Sequence, residues 1–194
     1  MNMNQGDTFI LESEELAMLL QTRGISRFQG FPLKKISKTR EEMLLTTKKL
    51  TEKGFLVSDG EAFHADSEIS ACIALLEKSR GLLLVNPSIE AVPQTFLYPG
   101  QQLAACQPVP FKEGAVKIRR MDWKDLGEFA AEQGRKSIWQ YYRKGEVQVL
   151  WSFLLTIPED GKLEIQNHGE SRELFITQLE DFMKNLIFDI QDKE

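Results

Sequence analysis

Between Thr39 and Gly81 the chain runs helix, tight hairpin, helix, with almost no residue left over for connecting loop. The first helix opens on Thr39-x-x-Glu42, a capping box in which each side chain satisfies an orphan backbone amide of the other. Its apolar residues Met43, Leu44 and Leu50 define a contact side and leave the lysines on the opposite one, and Gly54 closes it. Phe55–Val57 and Glu61–His64 then flank Asp59-Gly60, the favoured pair for a two-residue hairpin turn. Asp66 or Ser67 caps the next helix, whose Ile69, Ile73 and Leu76 recur at steps of three and four, and Gly81 ends it. A helix ending in glycine and followed by a short hairpin is how a winged-helix domain builds its wing. Protein-binding modules that never touch DNA use the same unit.

Around this unit the periodicities predict an α+β chain with a mostly antiparallel sheet. Thr8–Leu11 reads as a short strand entering a helix capped by Ser13, with Glu14 and Glu15 at the positive end of its dipole and Gly24 at its close. Residues 25–37 form a packed connector built on Ile25, Phe28 and Phe31. Leu82–Val85 is a buried strand. Thr95–Tyr98 and Gln102–Gln107 form a hairpin about Pro99-Gly100, and Ala115–Arg120 alternates as a half-exposed strand. Asp122 and Asp125 open a short helix that Gly134 ends. Ser137–Arg143 fits strand or helix. Glu146–Ile157 and Lys162–Gln166 pair about Pro158–Gly161, and a final helix spans Ser171 to Phe188. The expected architecture is a single α+β domain over 1–194: a helical cap with a wing-like hairpin over 8–81, then a central sheet over 82–194 with helices packed on it, including a C-terminal helix. A helix-then-hairpin order recurs loosely from Asp66 to Gln107 and from Ser137 onward.

Composition narrows the function classes. Hydrophobic residues at 42% with 27% charged residues leave enough apolar material for a core and place the chain among globular proteins. The longest uncharged apolar run, Val149–Ile157, is strand-sized, so no membrane insertion is expected. The first fifteen residues lack a basic region followed by an apolar core, which predicts no signal peptide and a cytoplasmic location. Cys72 and Cys106 read as buried free thiols, and His64 and His168 lack the neighbours of a zinc site. The net charge of −5 is uneven. Lys34–Lys53 holds seven basic residues (Lys34, Lys35, Lys38, Arg40, Lys48, Lys49, Lys53) against Glu41, Glu42 and Glu52. Glu170–Glu194 holds seven acidic residues against Arg172, Lys184 and Lys193. Such bipolarity favours oriented association with a charged partner or another subunit; the plainer alternative is two solvated helix faces.

No constellation reads as catalytic. Glu14/Glu15 and Asp122/Asp125 fall at helix starts, where capping and dipole account for them, and no P-loop, G-x-G-x-x-G or G-x-S-x-G is present. Catalytic, cofactor and metal residues are therefore expected to be none. The basic runs Phe31–Lys35 and Lys117–Arg120 are a dibasic loop and an alternating strand. Trp139, Tyr141, Tyr142 and Trp151 form either a platform for a peptide or base, or a core where strand meets helix. The last helix, ending in Phe188 and Ile190, carries more apolar surface than one face needs, leaving some for a partner.

Two binding functions compete. For a winged-helix transcriptional regulator stand the basic helix and the hairpin. Against it stand the glutamates among the lysines and an acidic hairpin tip (SDGEAF), which phosphates would avoid. The second is a protein-binding module. LESEELAMLLQTRG, LTEKGFLVSDGEAFHAD and SEISACIALLEKSRGLLL, followed by strands, resemble the EspG-like chaperones of type VII (ESX) secretion systems, particularly the shorter EsaE-type members of Firmicutes. The resemblance spans Leu11 to Val85 by pattern and the remainder by element order. It rests on Leu50, Gly54, Phe55 and Gly60, which are fold residues, so it carries over no partner-binding residue. It implies a non-enzymatic cytoplasmic chaperone that covers the apolar tip of a secreted helical-hairpin protein or toxin and delivers it to the secretion ATPase, with no nucleic acid bound.

Overall fold

The structure, a computed structural model, describes residues 8–25, 28–33, 39–158 and 162–188. Its frame is one nine-stranded sheet in which every pairing among the described residues is antiparallel. The strands are β1 (Thr8–Glu12), β4 (Gly81–Pro87), β5 (Thr95–Pro99), β6 (Leu103–Pro108), β7 (Ala115–Met121), β8 (Lys136–Arg143), β9 (Trp151–Thr156), β10 (Lys162–Asn167) and β11 (Glu170–Phe175). Their spatial order is β1-β7-β6-β5-β4-β8-β9-β10-β11. Two four-stranded meanders, β4 to β7 and β8 to β11, thus meet back to back along β4 and β8. The seam is in register from Gly81 opposite Arg143 to Pro87 opposite Ser137. The helices are α1 (Ser13–Thr22), α2 (Arg40–Glu52), α3 (Ser67–Lys78), α4 (Leu126–Glu132) and α5 (Leu179–Phe188), and a small hairpin, β2 (Leu56–Ser58) with β3 (Phe63–Ala65), joins α2 to α3. This is the α+β architecture expected from the sequence, C-terminal helix included.

Alternation along the strands builds a core on each side of the sheet. Leu83, Val85, Leu97, Leu103, Trp139, Tyr141, Phe153, Leu155, Leu163, Ile165 and Leu174 face one way, under Leu126 and Phe129 of α4 and Leu179, Met183 and Ile187 of α5. Leu11, Leu82, Phe96, Tyr98, Ala104, Cys106, Val116 and Ile118 face the other, under Leu16, Leu19 and Leu20 of α1, Leu50 of α2 and Ile69, Ile73 and Leu76 of α3. The first core draws on both meanders. The second draws almost wholly on β1 and β4 to β7.

The two meanders end alike. A buried residue, Met121 or Leu174, is followed by a backbone N–H held by the side chain three positions on: Asp122 N–H donates to Asp125 Oδ2 (3.2 Å) and Phe175 N–H to Gln178 Oε1 (2.9 Å). A 3₁₀ turn (Trp123–Asp125 or Ile176–Gln178) follows, then a buried leucine, Leu126 or Leu179, that opens the helix. The helix-then-hairpin recurrence expected from Ser137 onward is not found, because Ser137–Arg143 is strand; what recurs is this strand-to-helix exit.

Several sequence expectations are corrected. The Ser171–Phe188 helix begins only at Leu179, because Glu170–Phe175 is recruited as the edge strand β11 by the turn at His168-Gly169. Both residues take positive φ (47° and 89°), so this is the two-residue hairpin turn, matched to the twist of the strands it joins. Asp59-Gly60 lies instead in a four-residue loop: Ser58 pairs with Phe63, and the Asp59 carboxylate gathers the amides of Glu61 and Ala62. Glu12, not Ser13, caps α1, with Glu12 N–H bonded to Glu15 Oε2 at 2.7 Å. Helix α3 stops at Lys78, and Gly81 opens β4. Ser137–Arg143 is strand, whereas residues 146–150 of the expected Glu146–Ile157 strand form a loop. The sidedness of α2 holds for Leu50 and for Lys48 opposite it, but not for the rest. Leu50 is its one buried residue, Lys49 and Lys53 share the docked side, and Met43 and Leu44 are exposed. The turn residues 159–161, the basic residues Lys34, Lys35 and Lys38, and Ile190 with the acidic end 189–194 lie outside the described residues.

Gly81 is where the seam is tightest. A Cβ there would overlap the Tyr142 carbonyl oxygen and come within 2.6 Å of the Tyr141 hydroxyl. Gly81→Ala should therefore destabilise the fold by about 2 kcal/mol or more, since backbone has to move to admit the methyl; urea denaturation measures it, against Gly100→Ala as a control, a turn glycine without positive φ whose added Cβ would meet nothing nearer than 3.4 Å.

Candidate partner-binding face

The two sides of the sheet are not equally covered. On the side that α1 to α3 seal over β5, β6 and β7, the second meander carries no helix among the described residues, and none of its side chains there is buried. Strand register arranges that open face in rows. Asn86, Ile138, Leu154, Gln166 and Ser171 lie side by side across β4, β8, β9, β10 and β11. Leu84, Gln140 and Ser152 form the next row on one side, and Lys136, Thr156, Glu164 and Glu173 the next on the other. Ile138, 46% exposed, and its cross-strand partner Leu154 are the apolar centre. Amides surround them in a bonded chain: Gln94 Nε2 donates to Asn86 Oδ1 (2.5 Å), and Asn86 Nδ2 to Gln140 Oε1 (3.4 Å). At the charged end Glu164 accepts from Ser171 Oγ (2.7 Å) and Gln166 Nε2 (2.9 Å), which lowers its pKa.

An apolar groove of about 410 Å³ opens between the helical cap and the loop after β8, at the Gly81 end of β4 and away from the Ile138 row. Phe28, Leu76, Tyr98 and Val147 line it, with Glu77, Ser79, Lys144 and Glu146 among its polar residues. Phe28 stacks on Tyr98 (5.1 Å between ring centroids), whose hydroxyl donates to Gln29 O at 2.7 Å. Burial raises the Tyr98 pKa, so the hydroxyl stays a neutral donor. Gln29 ties the connector to the loop after β8. Its Nε2 donates to the carbonyls of Arg143 (3.1 Å) and Glu146 (2.7 Å), and its Oε1 accepts from Gly145 N–H (2.9 Å). That clamp holds Val147, almost wholly exposed, on the groove's rim. On the open face, an apolar centre with a hydrogen-bonding surround is the anatomy of a protein-binding surface.

The features singled out in the sequence fall elsewhere. Trp139 and Tyr141 are buried, and Tyr141, Trp151, Phe153 and Trp139 stack in one ladder beneath α5 (5.3, 5.4 and 6.0 Å between successive centroids). Three of the four candidate platform residues are thus core, while Tyr142 points to the opposite side and packs partly under the cap. Lys49 and Lys53 bind Glu12 (2.9 Å) and the buried Glu15 (2.6 Å), and Arg119 binds Glu132 (3.2 Å). The Lys49 contact holds the Glu12 carboxyl below its usual range and raises the lysine. Cys72 and Cys106 are buried free thiols, and burial pushes the Cys106 thiol up. Phe188 packs on Trp123 with Arg80 over its ring, so this end of α5 has its partners within the chain. Among the described residues no cluster of His, Cys, Asp and Glu is placed to hold a metal, and no helix is long and apolar enough to cross a membrane.

Ile138, Leu154 and Gln29 were not singled out from sequence. For Ile138 the signal is the alternation of SIWQYY, which places it opposite Trp139 once strand is assigned; for Gln29 no local signal exists. No family model matches the chain, and no curated protein is significantly similar to it.

Two outcomes follow from this geometry. Gln29→Ala should leave global stability within about 1–2 kcal/mol of wild type while accelerating amide hydrogen exchange selectively in residues 144–150. Asp59, held at about 2 by the amides of Ala62 and Glu61 and by His64, should contribute to hairpin order above its ordinary value of 3.8 and lose that contribution as pH falls through about 2. Carboxyl chemical shifts followed by NMR through an acid titration read this directly, and Asp59→Asn should abolish the transition.

Proposed function

We propose that this chain is a non-enzymatic adaptor that holds a helical segment of a partner protein against the open half of its sheet. The observation that carries the reading is the uneven cover: helices seal one half of a sheet face, and no helix among the described residues covers the other half, which has an apolar pair at its centre. A helix laid there buries Ile138 and Leu154, and the amides around them offer it hydrogen bonds. Within this class, the resemblance of Leu11–Val85 supports a cytoplasmic chaperone of type VII secretion, whose client is a secreted helical-hairpin protein or toxin passed on to the secretion ATPase. Binding to duplex DNA gains no comparable support. Two of the three lysines of the helix before the hairpin are turned toward Glu12 at the end of β1 and Glu15 on α1, and Lys48 sits 3.7 Å from Glu52.

Co-expression with any small helical secreted protein encoded near its gene should yield a stable complex that co-purifies. Leu154→Glu and Ile138→Glu should each weaken that complex about tenfold or more by placing a charge at an apolar contact, with the fold intact by circular dichroism. Failure to capture any neighbouring secreted protein, or capture indifferent to both substitutions, would count against the reading.

A further inference from the structure

Helix α2 docks by one side only. Leu50 is buried, Lys49 and Lys53 reach back to Glu12 and Glu15, and the Thr47 hydroxyl meets Met18 Sδ at 3.7 Å. At 100° per residue the direction opposite Leu50 is occupied by Glu41, Leu44, Leu45, Lys48 and Glu52, a stripe at i, i+3, i+4, i+7 and i+11. Every residue of it is exposed, Leu44 by 60% and Leu45 by 54%. An amphipathic helix normally turns such a stripe inward; here it faces solvent.

The order of charges along the stripe selects an occupant. Glutamate stands one turn before the two leucines and lysine one turn after them. Two copies laid antiparallel about a twofold axis between Leu44 and Leu45 bring Leu44 of each against Leu45 of the other. The same axis sets Glu41 of each copy beside Lys48 of the other, twice over. A parallel arrangement would instead oppose Glu41 to Glu41 and Lys48 to Lys48. The surface is self-complementary in one orientation and self-repelling in the other.

We propose that the outer stripe of α2 is a self-association surface through which two copies of this chain pair as antiparallel helices, with Leu44 and Leu45 at the centre and reciprocal Glu41–Lys48 bridges at the flanks. The helix has 13 residues, about 20 Å of length, so the interface falls at the small end of the specific range and the dimer is reversible. Lys48, now beside Glu52 of its own helix, turns to the partner's Glu41 on pairing. The surface lies on the helical cap, apart from the open sheet face, so the proposal stands or falls independently of the adaptor reading.

Sedimentation velocity of the full chain over a concentration series tests it. Wild type should show a monomer–dimer equilibrium that weakens with added salt. Leu44→Asp should weaken it roughly a hundredfold, because both copies lose the buried contact. Glu41→Lys and Lys48→Glu should each weaken self-association about tenfold. The combined Glu41→Lys/Lys48→Glu chain should recover it. Mixing the two single variants should also restore pairing, since every cross-helix contact then joins opposite charges. Circular dichroism confirms that each variant is folded. A wild-type chain monomeric throughout the series would overturn the proposal, as would a dimer indifferent to charge reversal or single variants that fail to pair with each other.

Discussion

The pairing of β4 with β8 is the contact on which the rest of the molecule depends. It joins two meanders that otherwise share no strand ladder, and it sets Leu83 and Val85 beside Tyr141 and Trp139 in the core under α4 and α5. Its geometry is exacting at one end, where Gly81 leaves room for the Tyr142 carbonyl and the Tyr141 hydroxyl. A strand slip of one residue would exchange every side chain between faces, sending Trp139 to the open side and Ile138 into the aromatic ladder. The size difference between those two residues makes the observed register strongly preferred.

From that seam the unequal cover follows. Both meanders send their exit helices, α4 and α5, to the same side, and their side chains complete one continuous core. The opposite side depends on residues that precede the seam: α1, α2 and α3 arrive before β4 and seat over β5 to β7. Among the described residues the one α-helix after β11 is α5, and it belongs to the other layer. The second meander answers with composition, carrying Gln140, Ser152, Thr156 and Gln166 where the first carries Phe96, Ala104, Cys106 and Ile118. Antiparallel sheets tolerate a solvated face for this reason.

Much of the fold is legible locally. Alternation exposes β7, a continuous apolar run exposes β4, and Asp66 caps α3 through Glu68 N–H as its chemistry predicts. What fails to show is decided at a distance. The ESRELF segment offers helix formers, and only the neighbouring β10 and the positive-φ turn at His168-Gly169 make it a strand. The inward turn of Lys49 and Lys53 follows Glu12 at the end of β1 and Glu15 on α1, partners that no pattern within the helix itself reveals. The candidate face is less legible still. Its defining property is that no helix among the described residues covers it, and no local pattern encodes the absence of a distant neighbour.

The seam also sets an order of events. β4 pairs at once with β5, which follows it closely in the chain, but its other edge waits for β8, beyond β6, β7 and α4. Contacts of such long sequence separation form late and slow the overall reaction. As the chain leaves the ribosome, the first meander therefore stands complete on one flank while Leu82–Val85 presents an apolar, unpaired edge on the other. During that interval the nascent chain is open to any strand that can pair with it, and timely arrival of Lys136–Arg143 is what closes the edge.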